Sequence, residues 1–287
     1  MIAVDSFTVA TFNVENYFLT PYATRKEKSE VSREKVSDII ATVRPDVLAL
    51  QEMGRKVAFG ELRNRLSQKK LNYPHHLWLM GPDPAIHLAL LSRFPIASDH
   101  SKSNVVYLLD RKRFQVSRGF MVVKVKINRD YSFTLVNAHL KSKRSVAIAS
   151  QAEMRVEEAR LLRGLVDKRL AKNPTENLLL VGDLNDSPAS DPIRALVGRG
   201  GLKLKDLRPY ESRGESMPNY VLPMGVKRGV SWTYFYAKED QYNRFDYILA
   251  SQGIFKEYVA SYVKAQSDWG VASDHRIVVA KFTAKDH

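Results

Sequence analysis

Six apolar runs in this chain end on, or carry, side chains that bind metals or move protons. SFTVATFN ends in Asn13 and DVLALQE in Gln51-Glu52, while YSFTLVNAHL carries Asn137 and His139. NLLLVGD ends in Asp183 and runs on into Leu184-Asn185-Asp186. RFDYILAS carries Asp246, and Ser273-Asp274-His275 leads into HRIVVAKF. A charge beside an apolar strand is costly unless it is paired or bound to a metal. Carboxylates gathered together also repel and raise one another's pKa. A hard divalent cation relieves both costs through oxygen ligands. Glu, Asp and Asn suit Mg²⁺ or Mn²⁺ better than zinc. Each residue alone has an ordinary explanation. Asp183 and Asn185 suit a turn, Glu52 an exposed strand end, His139 a core histidine, Asp246 a pair with Arg244, and Asp274-His275 a strand cap. Six such placements at six strand ends point instead to one constellation.

The elements that must position these residues are short strands alternating with amphipathic helices. Strands are expected at 6–13, 46–52, 75–81, 87–93, 120–127, 131–140, 177–183, 244–251 and 275–282, all rich in Val, Ile, Leu and aromatics. A helix is expected over 29–43, with Val31, Val36, Ile39, Ile40 and Val43 near one face and Pro45 as its stop. Further helices are expected over 55–70 and 146–171, the latter burying Met154, Leu161, Leu162, Leu165 and Val166, and from Asp191-Pro192 to Gly198. Residues 209–231, with three Pro and three Gly, form the loosest stretch. With no repeat and no linker-like break, the chain reads as one domain (1–287, core about 6–283) of largely antiparallel sheets with helices outside.

Composition narrows the chemistry. There are no cysteines, which excludes disulfides, zinc–thiolate sites and cysteine nucleophiles. Lys and Arg total 45 against 31 Asp and Glu, a net charge of +14. That excess favours polyanionic partners, nucleic acid first and an anionic membrane second. Arg111, Lys112, Arg113, Lys141, Lys143 and Arg144 lie in or near expected loops, where they suit a phosphate backbone or a solvated surface. Trp232, Tyr234 and Tyr236 read as alternating strand residues, with base stacking as the other reading. No apolar run is long enough to span a bilayer. MIAVDSFTVATFNV shows no basic region followed by an apolar stretch, so the sequence as it stands carries no secretory signal. A removed signal peptide leaves the same picture, and the compartment stays open. Nothing reads as a coiled coil or a long exposed apolar face, so a monomer is expected.

Seven segments carry a family resemblance: TFNVENYF, DVLALQEM, LALLSRFPI, NAHLKS, LVGDLNDSP, RFDYILAS and SDHRIVVAKF, in that order along the chain. The chain resembles the endonuclease/exonuclease/phosphatase family, the group that includes DNase I and exonuclease III. The resemblance implies a four-layer α/β sandwich of two central, mainly antiparallel sheets flanked by helices, with the site at one end of the sheets. It implies Glu52 as principal ligand of Mg²⁺ or Mn²⁺, one or two ions, with Asn13 and Asp274 in the same network. It implies His139, Asn13, Asn185, His275 and Arg118 (in VSRGFMVVKV) as phosphate contacts, Asp183 and Asn185 as the D-x-N pair, and Asp246–His275 as a dyad. The NVEN motif departs from the NVNG of exonuclease III-like members, and Glu15 becomes a further acidic candidate. A counterpart to the apolar membrane-docking hairpin of family sphingomyelinases is not evident.

The reading that follows is a metal-dependent phosphodiester hydrolase, a nuclease for DNA with RNA as a second substrate. The alternatives are a phosphatase or phosphodiesterase for a small or lipid phosphoester, and a non-catalytic nucleic-acid-binding relative. Hydrolysis needs charge neutralisation, an activated water and a stabilised leaving group. Asp183 and His275 compete for the role of general base, and a protonated His139 would balance charge on the phosphoryl oxygens.

Overall fold

The computed structural model describes residues 4–144, 148–211 and 231–286. The loose 209–231 stretch and the start of the helix expected from 146 lie largely outside them. In the first part of the chain come β1 (Ser6–Tyr17), α1 (Glu30–Val43), β2 (Val47–Met53), α2 (Lys56–Gln68), β3 (His75–Leu79), β4 (His87–Ser92) and β5 (Ile96–Asp99). A hairpin of β6 (Val106–Leu109) and β7 (Lys112–Gln115) precedes β8 (Phe120–Lys126), β9 (Ser132–His139), α3 (Gln151–Lys172), β10 (Leu178–Asp183) and α4 (Asp191–Val197). Then follow β11 (Lys205–Asp206), β12 (Tyr210–Glu211), the hairpin β13 (Tyr234–Tyr236) and β14 (Gln241–Asn243), and β15 (Asp246–Ala250). The chain closes with α5 (Gln252–Phe255), β16 (Tyr258–Val263), α6 (Trp269–Ala272) and β17 (Val278–Thr283).

Two sheets result. One has seven strands in the order β12-β16-β17-β1-β2-β4-β3, the other six in the order β11-β15-β10-β9-β8-β5. Among the described residues, only β1/β2, β12/β16 and β9/β10 pair in parallel. The sheets face each other across a core of Phe7, Val9, Ala49 and Leu90 from the first and Val123, Leu135, Leu179 and Ile248 from the second. Alternate residues face outward. Phe12, Leu48 and Leu50 meet Val36, Ile40, Phe59 and Leu62 of α1 and α2, while Val122, Val136 and Leu180 meet Leu162 and Val166 of α3 and Ile193 of α4. Burial on both faces explains why these strands read as near-continuous apolar runs. The four-layer sandwich is the architecture that the ordered motifs imply.

Local chemistry sets the element ends. Ser29 caps α1 by accepting from Ser32 N–H at 3.1 Å, and Arg44 ends the helix in the left-handed region before Pro45. Val31 lies on the exposed side of α1 rather than with the core face. Short polar edge strands (β5, β11 and β12) and both hairpins have too little periodicity to stand out in the sequence. β17 begins at Val278, so His275 precedes the strand instead of opening it.

Two polar features tie the sheets together near the ends of β1, β2 and β9. Gln51 Nε2 donates to Asn137 Oδ1 at 2.8 Å, and Asn137 Nδ2 donates to the Leu50 and Ala89 carbonyls. All of these groups are buried, so Gln51 and Asn137 clamp one sheet to the other. The β1/β2 register also shifts between Asn13 and Tyr17, and the β2/β4 register between Leu50 and Met53. Glu15, Asn16 and Glu52 have positive φ at these irregularities. Bulges of this kind re-aim side chains at strand ends.

Gly182 just before Asp183 has φ +135°, and a Cβ there would lie 1.9 Å from the Ala138 carbonyl oxygen. Backbone strain and overlap add at this position, so Gly182→Ala is expected to destabilise the fold by roughly 3 kcal/mol. Urea denaturation checks this; a midpoint unchanged from wild type contradicts it.

Candidate active site

The strand ends β1, β2, β9, β10 and β15, with the turn before β17, converge on one constellation. Asn13 stands at its centre. Its Oδ1 accepts from Glu15 N–H at 3.0 Å, which turns the amide nitrogen toward the acids. Nδ2 then donates to Asp183 Oδ2 at 2.9 Å and lies 3.4 Å from both Glu52 Oε1 and His275 Nε2. Asn13 therefore bridges the acids as a donor. Glu52 Oε2 accepts from Asn16 N–H at 3.0 Å, so the bulge in β1 holds the carboxylate that the bulge in β2 presents.

His275 is pinned from three sides. Ser273 Oγ donates to the Asn13 carbonyl at 2.8 Å and accepts from His275 N–H at 3.0 Å. Tyr234 bridges to His275 along the backbone and packs its ring 4.7 Å from the imidazole. His275 Nδ1 meets Asp246 Oδ2 at 2.8 Å. The neighbouring cation in sequence is engaged elsewhere, since Arg244 forms a two-point pair with Asp206 at 2.9 and 2.5 Å. The second ring nitrogen, Nε2, faces Asp183 at 3.7 Å and Asp274 at 3.9 Å.

His139 Nε2 lies 3.4 Å from Asp183 Oδ2 and 3.9 Å from Glu52 Oε1. Asp183 Oδ1 accepts from Asn185 N–H at 2.9 Å, and Asn185, at φ +54°, donates its amide to the Leu140 carbonyl at 3.1 Å. Arg118 sits buried behind His139, with Nη1 3.5 Å from that same carbonyl. The structure thus brings together Asn13, Glu52, His139, Asp183, Asn185, Asp246 and His275, with Asp274 at the mouth and Arg118 behind.

Electrostatics divide the site. On the acidic side, burial pushes both Asp183 and Asp274 up to about 7, with Asp246 adding to the effect at Asp183, and Glu15 and Glu52 at Asp274. Burial disfavours a charged His275, but the charges of Asp246 and Asp183 outweigh it and hold the imidazole well above its ordinary value. On the other side, burial and then Arg118 hold His139 well below its ordinary value. These surroundings favour the uncharged imidazole over the protonated form in which His139 would balance charge on the phosphoryl oxygens. Lys28 gives no signal in the sequence, because TRKEKSE reads as a solvated charge run. Its buried ammonium donates to the Glu15 carbonyl at 2.9 Å and lies 3.6 Å from the Glu15 carboxylate. Burial lowers its pKa against the pull of Glu15, Asp274 and Glu52.

The donor set fits a hard divalent ion: carboxylates gather around Asn13, and burial and mutual repulsion raise the pKa of two of them. Ligand atoms of Asp183, Asp246 and His275 lie within 4.8 Å of one another. Within that trio, however, the short His275–Asp246 bond already occupies Nδ1. Glu52 and Asp274 are the more open carboxylates, at 19% and 39% exposure.

The profile of the endonuclease/exonuclease/phosphatase family matches residues 10–275. The chain belongs to this family. Family membership makes it a phosphoester hydrolase, of a group generally dependent on divalent metals. Solved structures agree in fold. A Bacteroides thetaiotaomicron family protein is 17% identical, with TM-score 0.65 and 99% of each chain covered. Sphingomyelinase C from Streptomyces griseocarneus is 18% identical, with TM-score 0.62, covering 98% of this chain and 99% of that one. The human nocturnin catalytic domain, solved with a bound sulfate anion, is 16% identical, with TM-score 0.65, covering 99% and 97%. None of the curated proteins matches the sequence. No described helix is long and apolar enough to cross a membrane.

A carboxyl whose folded pKa lies above its unfolded value binds more protons when folded, so its contribution to stability is lost as pH rises through the folded value. Without divalent ions, Asp183 is expected to make wild type lose Tm between about pH 4 and about pH 7, and Asp183→Asn to lose less over that window. Thermal melts in EDTA measure the difference; parallel falls for the two proteins would count against it.

Proposed function

We propose that this protein is a Mg²⁺- or Mn²⁺-dependent phosphodiesterase acting as a monomer on nucleic acid, DNA first. The observation that carries the reading is the convergence of Glu52, Asp183, His139 and His275 on Asn13, with buried Arg118 close to the Leu140 carbonyl beside them. Such a site suits a phosphate held between a metal ion and fixed donors. Glu52 and Asp274 would hold the ion, with Glu15 beside them. When bound, it supplies charge neutralisation to the phosphate and the leaving oxygen.

The chain's own groups divide the remaining work. Asp183 accepts the proton of the attacking water; a base with a pKa near 7 is matched to that task at neutral pH. His275, whose charged form is favoured by Asp246 and Asp183, stabilises negative charge, and this supports Asp183 over His275 as the base. Asn13 and neutral His139 donate to phosphoryl oxygens, and Asn185 orients the Asp183 carboxylate. Arg118 supports the phosphate from behind His139.

Nucleic acid as substrate draws support from the net charge of +14 and from exposed Arg111, Lys112, Arg113, Lys143 and Arg144. The exposed hairpin β6–β7 turns through Asp110-Arg111, a charged tip ill-suited to apolar lipid docking. The alternative, a small or lipid phosphoester, draws on the fold shared with sphingomyelinase C.

Plasmid, single-stranded DNA, RNA, an anionic lipid phosphoester and a soluble phosphomonoester, each incubated with Mg²⁺ and then with EDTA, separate the readings. Metal-dependent cleavage of the nucleic acids is expected, whereas turnover of the monoester or lipid alone overturns the nuclease assignment. Asp183→Ala and His275→Ala are each expected to lower kcat by about 10²–10⁴ while remaining folded by circular dichroism. Wild-type turnover in either folded variant defeats the roles assigned to these two residues.

A further inference from the structure

A cleft of about 570 Å³ opens beside the site, lined by Tyr22, Arg25, Pro84, Arg113, Phe114 and Met154 among others. Its lining includes Asp83, whose Oδ2 lies 3.7 Å from Arg118 Nε. Arg118 Nη1 in turn lies 3.5 Å from the Leu140 carbonyl that accepts from Asn185, so the cleft adjoins the site through Arg118.

Arg25 is carried there by a built turn. Tyr22 and Arg25 exchange both backbone hydrogen bonds at 2.9 Å, with Ala23 at φ +51° between them. Tyr22 packs on Phe18, Ala85 and Ile86, which anchors the turn to the body of the protein. Yet Arg25 Nη1 is buried with no hydrogen-bond partner. Arg118, only 6% exposed, has the same deficit at Nε, since Asp83 lies beyond hydrogen-bond reach and its other oxygen accepts from Ala85 N–H at 2.9 Å. Buried guanidinium N–H groups without acceptors are costly, and an oxyanion satisfies them with charge-assisted bonds. Arg113 reaches the same cleft from the β6–β7 hairpin, and Tyr22, Phe114 and Met154 give it apolar walls suited to the face of a base.

We propose that this cleft binds a second phosphate of the same nucleotide chain, with Arg25 and Arg113 as its ligands. The site then favours a strand bearing consecutive phosphates over an isolated phosphodiester. This rests on the phosphodiesterase reading for the neighbouring centre, but binding in the cleft is measurable without turnover.

The test compares wild type with Arg25→Gln, the fold of each checked by thermal melting. Fluorescein-labelled octathymidylate is titrated in EDTA, and anionic phospholipid vesicles are titrated in parallel. Arg25→Gln is expected to weaken octathymidylate binding about tenfold, the loss of one charge-assisted hydrogen bond, and to leave vesicle binding unchanged. With Mg²⁺ restored, the preference for a thymidine dinucleotide bearing a terminal phosphate over the same dinucleotide without one is expected to fall by a similar factor, through KM. Equal octathymidylate affinity in the two proteins overturns the proposal, and so does an Arg25 dependence confined to vesicles. An Arg25-dependent affinity in a wild type that hydrolyses nothing supports the cleft and defeats the hydrolase reading. Hydrolysis with no Arg25 dependence does the reverse.

Discussion

The hydrogen bond from Asn13 Nδ2 to Asp183 Oδ2 joins two residues 170 positions apart, one on each sheet. The geometry of the site depends on it. It is short because both sheets are held in register by the buried Gln51–Asn137 clamp and by the aromatic stack of Phe7 on Phe133 and Phe282. It is directed because Asn13 cannot rotate, its oxygen being committed to Glu15 N–H. Around this one donor lie Glu52, Asp183 and His275.

The fold tolerates this concentration of charge through local irregularity and protonation. Positive φ at Glu15, Asn16, Glu52 and Asn185 places strain of about 1–3 kcal/mol per residue at the site, sustained by the rigid sheets beneath it. The raised pKa of Asp183 and Asp274, the favoured charge on His275 and the ammonium of Lys28 offset part of the repulsion. The acids also differ in access. Asp246 is fully buried against His275, whereas Asp274 remains partly open at the mouth. One cluster of carboxylates thereby supports two tasks, orienting an imidazole and receiving an ion.

Much of this is legible in the amino-acid sequence alone. The main strands appear within a few residues of their expected bounds, because burial on both faces leaves long apolar runs. The acidic and histidine candidates stand out because a polar residue at the end of such a run lacks a packing explanation. Lys28, Ser273 and Arg25 do not stand out. They lie in turns where Lys, Ser and Arg are ordinary surface residues, and only long-range contacts distinguish them. Gln51 and Asn137 share the strand-end signal yet belong to the core, since sequence reports polarity at a strand end but not the face it points to.

By itself, then, the sequence determined the alternation of strands and helices, the ordered motifs of the family and the residue types available for metal and phosphate chemistry. These depend on local patterning and composition, which act over a few residues. The tertiary structure decided which acids touch, that Arg244 takes Asp206 and leaves Asp246 to His275, that burial disfavours a charged His139 and that a cleft lined by Arg25 and Arg113 forms. Such outcomes rest on distances across the sandwich, between residues far apart in the chain. Protonation, ion pairing and burial are properties of those distances and of the solvent the packed sheets exclude.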